Sequence, residues 1–402
     1  VLVGKPARGK SYTARKLAGY FTWLGYSARI FNVGAYRRER LGAGQDHSFF
    51  DPSNAEGLQA RRQMAEAAMD DLVAWARDGG SVALYDATNS TRTRRKWVRE
   101  RCEAEGLDVL LLELVCEDPA IIDANVRETK ITSPDYVDVD PELAVRDFRA
   151  RIAHYESAYE PVTDDEGGYI QIIDAGRKVV SHRVYGYLQA RLAVFLSNIH
   201  LTRRPLYLTR HGESQFNVSG KIGGDSGLSP AGQQYASRLG VFLGELLPED
   251  AHVWTSSLRR TVETGSHVHG AKTAWRSLDE IDAGECDGLT YAEILDRFPT
   301  EYAARKRDKL RYRYPRGESY QDVITRVEPV VFELERVREP IVVIAHQAVL
   351  RAIYGYLQQI PPERCPHLDM PLHTVIKLVP GPYGCTEERF QLGPEASKHG
   401  SS

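Results

Sequence analysis

The octapeptide Gly4-Lys-Pro-Ala-Arg-Gly9-Lys10-Ser11 constrains this chain more than any other feature. It fits G-x-x-x-x-G-K-[ST], where glycines let backbone N–H groups turn inward around phosphate oxygens and the next helix adds its positive end. Such a loop joins a buried strand to an amphipathic helix. Both partners are present: Val1–Val3 is apolar, and Ala14, Leu17, Ala18, Phe21 and Leu24 recur at helical spacing. Lys10 is then expected at the β- and γ-phosphates and the Ser11 hydroxyl at Mg²⁺. The chain opens with its first strand already under way, so upstream residues are an expectation.

The alternation that begins there continues. Strands are predicted at Ala28–Val33, Ser81–Tyr85, Val109–Cys116 and Tyr169–Asp174. Helices are predicted from about Glu56 to Arg77, stopping at Gly79-Gly80, near Arg94, from Pro119 towards Lys130, and over Val184–Ile199. This pattern predicts an α/β domain, a parallel sheet with helices on both faces. Thr202-Arg-Arg-Pro205 is the best boundary. Beyond it come strands at Leu206–Thr209, His252–Thr255 and Ile341–Ala345, with helices at about Pro230–Leu246, Tyr291–Phe298, Tyr320–Val337 and Val349–Leu357. Two α/β domains, 1–201 and 202–392, follow from this, with 393–402 as a flexible tail. A length of 402 residues fits that division.

Composition narrows the class. The chain is 42% hydrophobic and 27% charged with a formal charge of −3, the profile of a globular protein without a broad nucleic-acid or membrane surface. No apolar run approaches the ~20 residues of a membrane span. Five cysteines (102, 116, 286, 365 and 385) without C-x-x-C spacing predict a reduced, cytoplasmic protein lacking a structural zinc site. Basic residues nevertheless cluster at Arg37–Arg40, Arg92–Lys96 and Arg305–Arg313. Solvated helix faces are the ordinary meaning of such runs; small polyanions are the competing one.

Further residues favour the polyanions. Val82-Ala-Leu-Tyr-Asp86 is an apolar strand ending in a carboxylate, the form of a second Mg²⁺-positioning group. Leu206-Tyr-Leu-Thr-Arg210-His211-Gly212 sets an arginine and a histidine at another strand end. Imidazole can attack phosphorus if its other nitrogen is held by an acceptor, while arginine clamps the equatorial oxygens. Asn217, Arg260, the strand-terminal His346 and Glu280, a candidate leaving-group acid if burial raises its pKa, complete a hydrolytic constellation. Metal binding is the rival for two histidines and a glutamate. The spacing misses H-E-x-x-H, and the neighbouring arginines repel a cation.

A phosphate loop followed by an Arg-His-Gly strand end resembles the bifunctional 6-phosphofructo-2-kinase/fructose-2,6-bisphosphatase family from end to end. The segments that carry the resemblance are Gly4–Tyr12, Phe31-Asn-Val-Gly-Ala-Tyr-Arg-Arg38, Asp86-Ala-Thr-Asn89, Ser133-Pro-Asp-Tyr136, Arg210-His-Gly-Glu-Ser214, Ile222–Ser229, Glu280-Ile-Asp-Ala-Gly284, Tyr312–Tyr320 and His346–Arg351. The resemblance implies a P-loop kinase domain followed by a phosphoglycerate-mutase-like histidine phosphatase domain.

It also implies residue roles. In the kinase half, Gly4, Ala7, Arg8, Gly9, Lys10, Ser11, Tyr12, Asn125 and Lys130 would hold ATP, with Ser11 and Asp86 at Mg²⁺. Arg37, Arg38, Arg61, Thr88, Arg94, Arg151 and Tyr155 would hold fructose 6-phosphate, whose 2-hydroxyl receives the γ-phosphoryl. In the phosphatase half His211 would become phosphohistidine and Glu280 would protonate the departing oxygen of fructose 2,6-bisphosphate, with no cofactor needed. Arg210, Asn217, Arg260 and His346 would grip the transferring group. Ile222, Gly223, Tyr291, Arg305, Lys309, Tyr320, Gln347 and Arg351 would line the sugar and 6-phosphate pocket. A homodimer is the family expectation; a chain with one working half and one regulatory half is the alternative. Lys5 departs from the family's usual apolar residue, as a nucleotide contact or a solvated side chain.

Overall fold

Two parallel strands bring their terminal side chains together only when both end at the same level of the sheet. The computed structural model, which describes residues 1–130, 133–200, 203–381 and 384–393, contains that arrangement twice. Its elements form two compact units, essentially residues 1–201 and 202–402.

The first unit runs β1 (Leu2–Val3), α1 (Lys10–Trp23), β2 (Ala28–Asn32), α2 (Val33–Leu41), α3 (Ala55–Arg77), β3 (Val82–Asp86), α4 (Arg92–Glu103), β4 (Leu111–Val115), α5 (Pro119–Asn125), α6 (Pro141–Ser157), β5 (Tyr169–Ile173), β6 (Lys178–His182) and α7 (Tyr187–Asn198). One ladder has the order β1-β4-β5-β6, and β2 pairs with β3. The ladder is parallel from β1 through β4 to β5, as expected, and β6 adds an antiparallel edge strand to β5. The reason is local: Asp174, Ala175 and Gly176 all have positive φ, reversing the chain in a turn far too short for a parallel crossover. Helix α3 begins where the Asn54 side chain accepts the Gly57 N–H, and its face of Met64, Ala68, Met69, Leu72 and Val73 is buried. That face packs with Phe31, Tyr85 and Val98, each such side chain contributing about 1.5–3 kcal/mol. In register, Asn32 at the end of β2 lies beside Asp86 at the end of β3.

The second unit runs β7 (Leu206–Arg210), α8 (Gln215–Val218), α9 (Pro230–Gly244), β8 (His252–Thr255), α10 (Arg259–Gly265), β9 (Ala271–Ala274), α11 (Tyr291–Arg297), α12 (Pro299–Arg307), α13 (Tyr320–Arg336), β10 (Ile341–Ala345), α14 (Gln347–Leu357), β11 (Thr374–Gly381) and β12 (Gly384–Gln391). The sheet order is β12-β11-β7-β10-β8-β9. Strand β10 is central and wholly buried, which is why Ile-Val-Val-Ile-Ala carries no polar residue. It pairs in parallel with β7, Ala345 opposite Arg210, and with β8, Ile344 opposite Thr255. His211, His346 and Ser256 therefore leave neighbouring strands at one edge of the sheet. The antiparallel β11 and β12 were not predicted from the sequence. Of the expected tail, residues 394–402 lie outside the described residues. None of the described helices is long and apolar enough to cross a membrane.

Candidate active sites

In the first unit the phosphate loop follows β1. Gly4 has φ 141° and its backbone N–H donates to the Thr88 carbonyl at 3.0 Å; a Cβ there would stand 2.6 Å from the Leu114 carbonyl oxygen. Only glycine fits that approach. The buried Lys10 Nζ donates to the Lys5 carbonyl at 2.6 Å, within the loop itself. Ser11 Oγ donates to Asp86 Oδ2 at 2.8 Å, and Asn32 donates to the same oxygen while its own Oδ1 caps α2. Ser11 and Asp86 thus bring two hard oxygen groups together, the donor type Mg²⁺ takes, and the Asn32 amide N–H orients the carboxylate. The Arg8 side chain is buried against the Cys116 and Pro6 carbonyls and Glu156, so its guanidinium braces the loop. Lys5 is partly exposed, with its Nζ 3.5 Å from Glu156 and over the Tyr159 ring. Asn125 Nδ2 donates to the Ala7 carbonyl, and Tyr12 is half-buried on the first turn of α1. The Lys130 side chain lies outside the described residues.

Three arginines named from the sequence converge on one carboxylate that was not. Arg37 pairs with Asp135 at 2.5 Å, while Arg151 and Arg38 stand 3.7 and 3.8 Å from it. Arg37 is buried and committed to this contact; Arg38 is the more open. The Arg151 guanidinium lies 3.5 Å over the Phe50 ring, Tyr155 packs 6.2 Å from that ring, and Arg61 donates to the Phe50 and Asp51 carbonyls. Phe50 is therefore the unpredicted organiser of this pocket. Arg94 donates to the Tyr85 hydroxyl at 3.0 Å and stacks on Trp97. The three arginines around Asp135 would repel one another without that carboxylate and the Phe50 face beside them.

In the second unit a cleft of about 460 Å³ gathers Arg210, His211, Asn217, Ile222, Gly223, Arg260, Glu280, Tyr291, Arg305, Lys309, Tyr320, Gln347 and Arg351. His211 Nδ1 is 2.7 Å from the Gly212 carbonyl, which can only accept. The proton must sit on Nδ1, so Nε2 keeps its lone pair and accepts from Arg260 Nε at 3.2 Å. Burial, then Arg260, pushes His211 down to about 3, so the ring is neutral and nucleophilic near pH 7. Arg260 also donates to the Gly224 carbonyl. Glu280 Oε1 is oriented by the Ile281 and Ala348 N–H groups. His346 lies fully buried beside the cleft, its ring 5.1 Å from that of His211. Arg305 donates to the Tyr291 hydroxyl, and Arg351 to that of Tyr320.

One part of this site had no sequence signal. The carbonyls of Pro366, Leu368 and Met370 accept from Lys309 Nζ, Arg351 Nε and Arg210 at 2.9, 2.6 and 3.2 Å. Alternate carbonyls of one short segment, running from the end of a 3₁₀ helix (Pro362–His367) to Met370, thus hold three cations, with no side-chain chemistry to mark them. Lys221, Tyr312 and Tyr314 also line the cleft and were not singled out, though each adjoins or lies within a segment read as significant. Among the described residues no group of three or more His, Cys, Asp or Glu side chains could hold a metal ion. None of the five cysteines is in a disulfide.

A phosphate loop in one unit and a buried, neutral histidine among arginines in the other are the marks of a kinase domain joined to a histidine phosphatase domain. Comparison with known proteins agrees: residues 1–203 match the 6-phosphofructo-2-kinase family and residues 206–392 match the histidine phosphatase superfamily, branch 1. A 6-phosphofructo-2-kinase/fructose-2,6-bisphosphatase of Arabidopsis thaliana is 50% identical over 98% of this chain, which spans 53% of that protein. The Gallus gallus protein of that name is 46% identical over 98% of this chain and 85% of its own. Human 6-phosphofructo-2-kinase/fructose-2,6-bisphosphatase 3 is 45% identical over 98% and 77%. A solved alpha-ribazole phosphatase from Shigella flexneri is similar at a TM-score of 0.43 and 23% identity, covering 46% of this chain and 96% of that one. The chain belongs to the 6-phosphofructo-2-kinase/fructose-2,6-bisphosphatase family.

Proposed function

We propose that this chain makes fructose 2,6-bisphosphate from fructose 6-phosphate and ATP in residues 1–201 and hydrolyses it in residues 202–392. The observation that carries the reading is His211, with Nδ1 tied to a carbonyl and Nε2 left unprotonated, its lone pair held by Arg260 until substrate arrives. In hydrolysis Nε2 forms a bond to the 2-phosphoryl phosphorus as the bond to the sugar 2-oxygen breaks. Glu280 gives its proton to that oxygen, and Arg210, Arg260, Asn217 and His346 stabilise the charge in flight. Water then cleaves the phosphohistidine, losing its proton to Glu280, and releases phosphate. Lys309, Arg351, Arg305, Tyr291, Tyr320, Gln347, Ile222 and Gly223 hold the sugar and its 6-phosphate.

In the kinase half ATP lies along Gly4–Tyr12 with Asn125 and Lys130. Ser11 and Asp86 would hold Mg²⁺, which supplies charge neutralisation at the phosphates. Arg38, Arg61, Thr88, Arg94, Arg151 and Tyr155, with Arg37 behind them, hold fructose 6-phosphate. Catalysis there is chiefly positioning and neutralisation. A cytoplasmic location is favoured by five cysteines outside any disulfide, and a homodimer by the family resemblance.

The test is to incubate the protein with fructose 2,6-bisphosphate labelled at the 2-phosphate, trap the phosphoprotein and map the label, while assaying both reactions on the same preparation. Label on His211 with both activities present is expected. Label elsewhere, or one undetectable activity, rejects the bifunctional reading.

A further inference from the structure

We propose that Ser256 is a positioning residue that holds neutral His346 with its proton on Nδ1, so that the ring meets the transferring phosphoryl group as a hydrogen-bond donor. The inference rests on the phosphatase reading above.

A phosphoryl oxygen accepts hydrogen bonds, so a buried histidine can serve it only by donating. His346 is wholly buried, and burial with the charges of Arg260 and Arg210 depresses its protonation well below the ordinary histidine range. A neutral ring has one proton to place. Its Nε2 lies 2.8 Å from Ser256 Oγ, while Nδ1 is buried with no partner. The direction of the hydrogen bonds around Ser256 sets which nitrogen is protonated. Its Oγ accepts the Leu258 N–H at 3.1 Å. Thr261 Oγ1 is 2.7 Å from it, the shortest contact that hydroxyl makes. With Thr261 donating, both lone pairs of Ser256 are filled, and its own proton goes to the remaining acceptor, His346 Nε2. The imidazole proton then resides on the orphaned Nδ1. A carbonyl in place of Ser256 could not do this, because it would draw the proton to Nε2.

The arrangement follows from the sheet. Ser256 is the first residue after β8 and His346 the first after β10, and these strands pair in parallel with Ile344 opposite Thr255. The opposite network, in which Thr261 donates instead to the Leu258 carbonyl at 2.8 Å and Ser256 accepts from Nε2, is the outcome that overturns the proposal.

The test is nitrogen-15 NMR of the full chain labelled at histidine, with His346 assigned by loss of its signals in His346→Gln. A protonated Nδ1 and an unprotonated Nε2 at pH 7 are expected. A protonated Nε2, or an imidazolium, overturns the proposal. Ser256→Ala should lower kcat for bisphosphate hydrolysis about ten- to a hundredfold with KM within about twofold, as loss of an orienting partner does. Ser256→Thr, which keeps the hydroxyl, should recover most of that loss, and kinase turnover on the same preparations reports folding. Unchanged hydrolysis in Ser256→Ala also overturns it. A wild-type protein that forms no phosphohistidine yet shows the Nδ1 proton upholds the tautomer and removes the phosphatase reading instead.

Discussion

Single side chains here are set by what their second atom touches. His211 illustrates this, since one carbonyl fixes its proton and burial keeps it neutral. His211→Ala should lower hydrolysis by at least about 10³-fold and abolish the phosphoenzyme, with kinase turnover within about twofold. Lys10→Ala should do the reverse, and loss of both activities in either variant counts against independent sites. Lys309 gives a pH signature. Burial, then Arg351 and Arg305, lowers it to about 8, so its cation is lost as pH rises through that value. The pH profile of kcat/KM for fructose 2,6-bisphosphate should show an alkaline limb near pH 8, absent or moved upward in Lys309→Arg. A profile flat to pH 10 would contradict the role given to Lys309.

Loops and strand ends carry the geometry that these side chains need. Gly223 has φ 69°, and a Cβ there would lie 1.5 Å from Asp287 Oδ1, the atom that accepts the Gly224 N–H. The Gly224 carbonyl in turn receives Arg260. Gly223→Ala should therefore displace Asp287, loosen Arg260 and cut kcat/KM for hydrolysis about tenfold or more, leaving kinase rates unchanged. Steady-state assays of both reactions check this. The segment from Pro366 to Met370 acts in the same way on Lys309, Arg351 and Arg210, but through backbone oxygens. Pattern made strand ends such as Asp86, His211 and His346 legible, because an apolar run stopping at a polar residue survives in one dimension. It left α6 unread, although Asp140 and Pro141 form an N-cap and N1 signal at its start.

For the whole chain, acid is the condition that separates folded from unfolded protein most directly. His211 and His346 are both held neutral when folded, yet each takes a proton when unfolded below its ordinary pKa of 6.5. The unfolded state thus binds more protons as pH falls below 6.5, and stability declines through that window towards the folded values. Each histidine contributes up to about 1.4 kcal/mol per pH unit to the decline. Denaturant unfolding of the second unit between pH 7 and 5 should show this slope, reduced in His346→Gln. Pattern along the chain was enough for the two α/β folds, the order of the two domains and most of the residues assigned to the proposed sites. Strand periodicity, phosphate-loop glycines and strand-terminal histidines are local, and local patterns are written along the chain. Only the folded chain shows which nitrogen of His211 carries the proton, that Asp135 and Phe50 organise the arginines, that Lys5 turns to Glu156, and that Ser256 stands against His346. Those depend on the register of distant strands and on where backbone carbonyls fall, neither of which residue identity records.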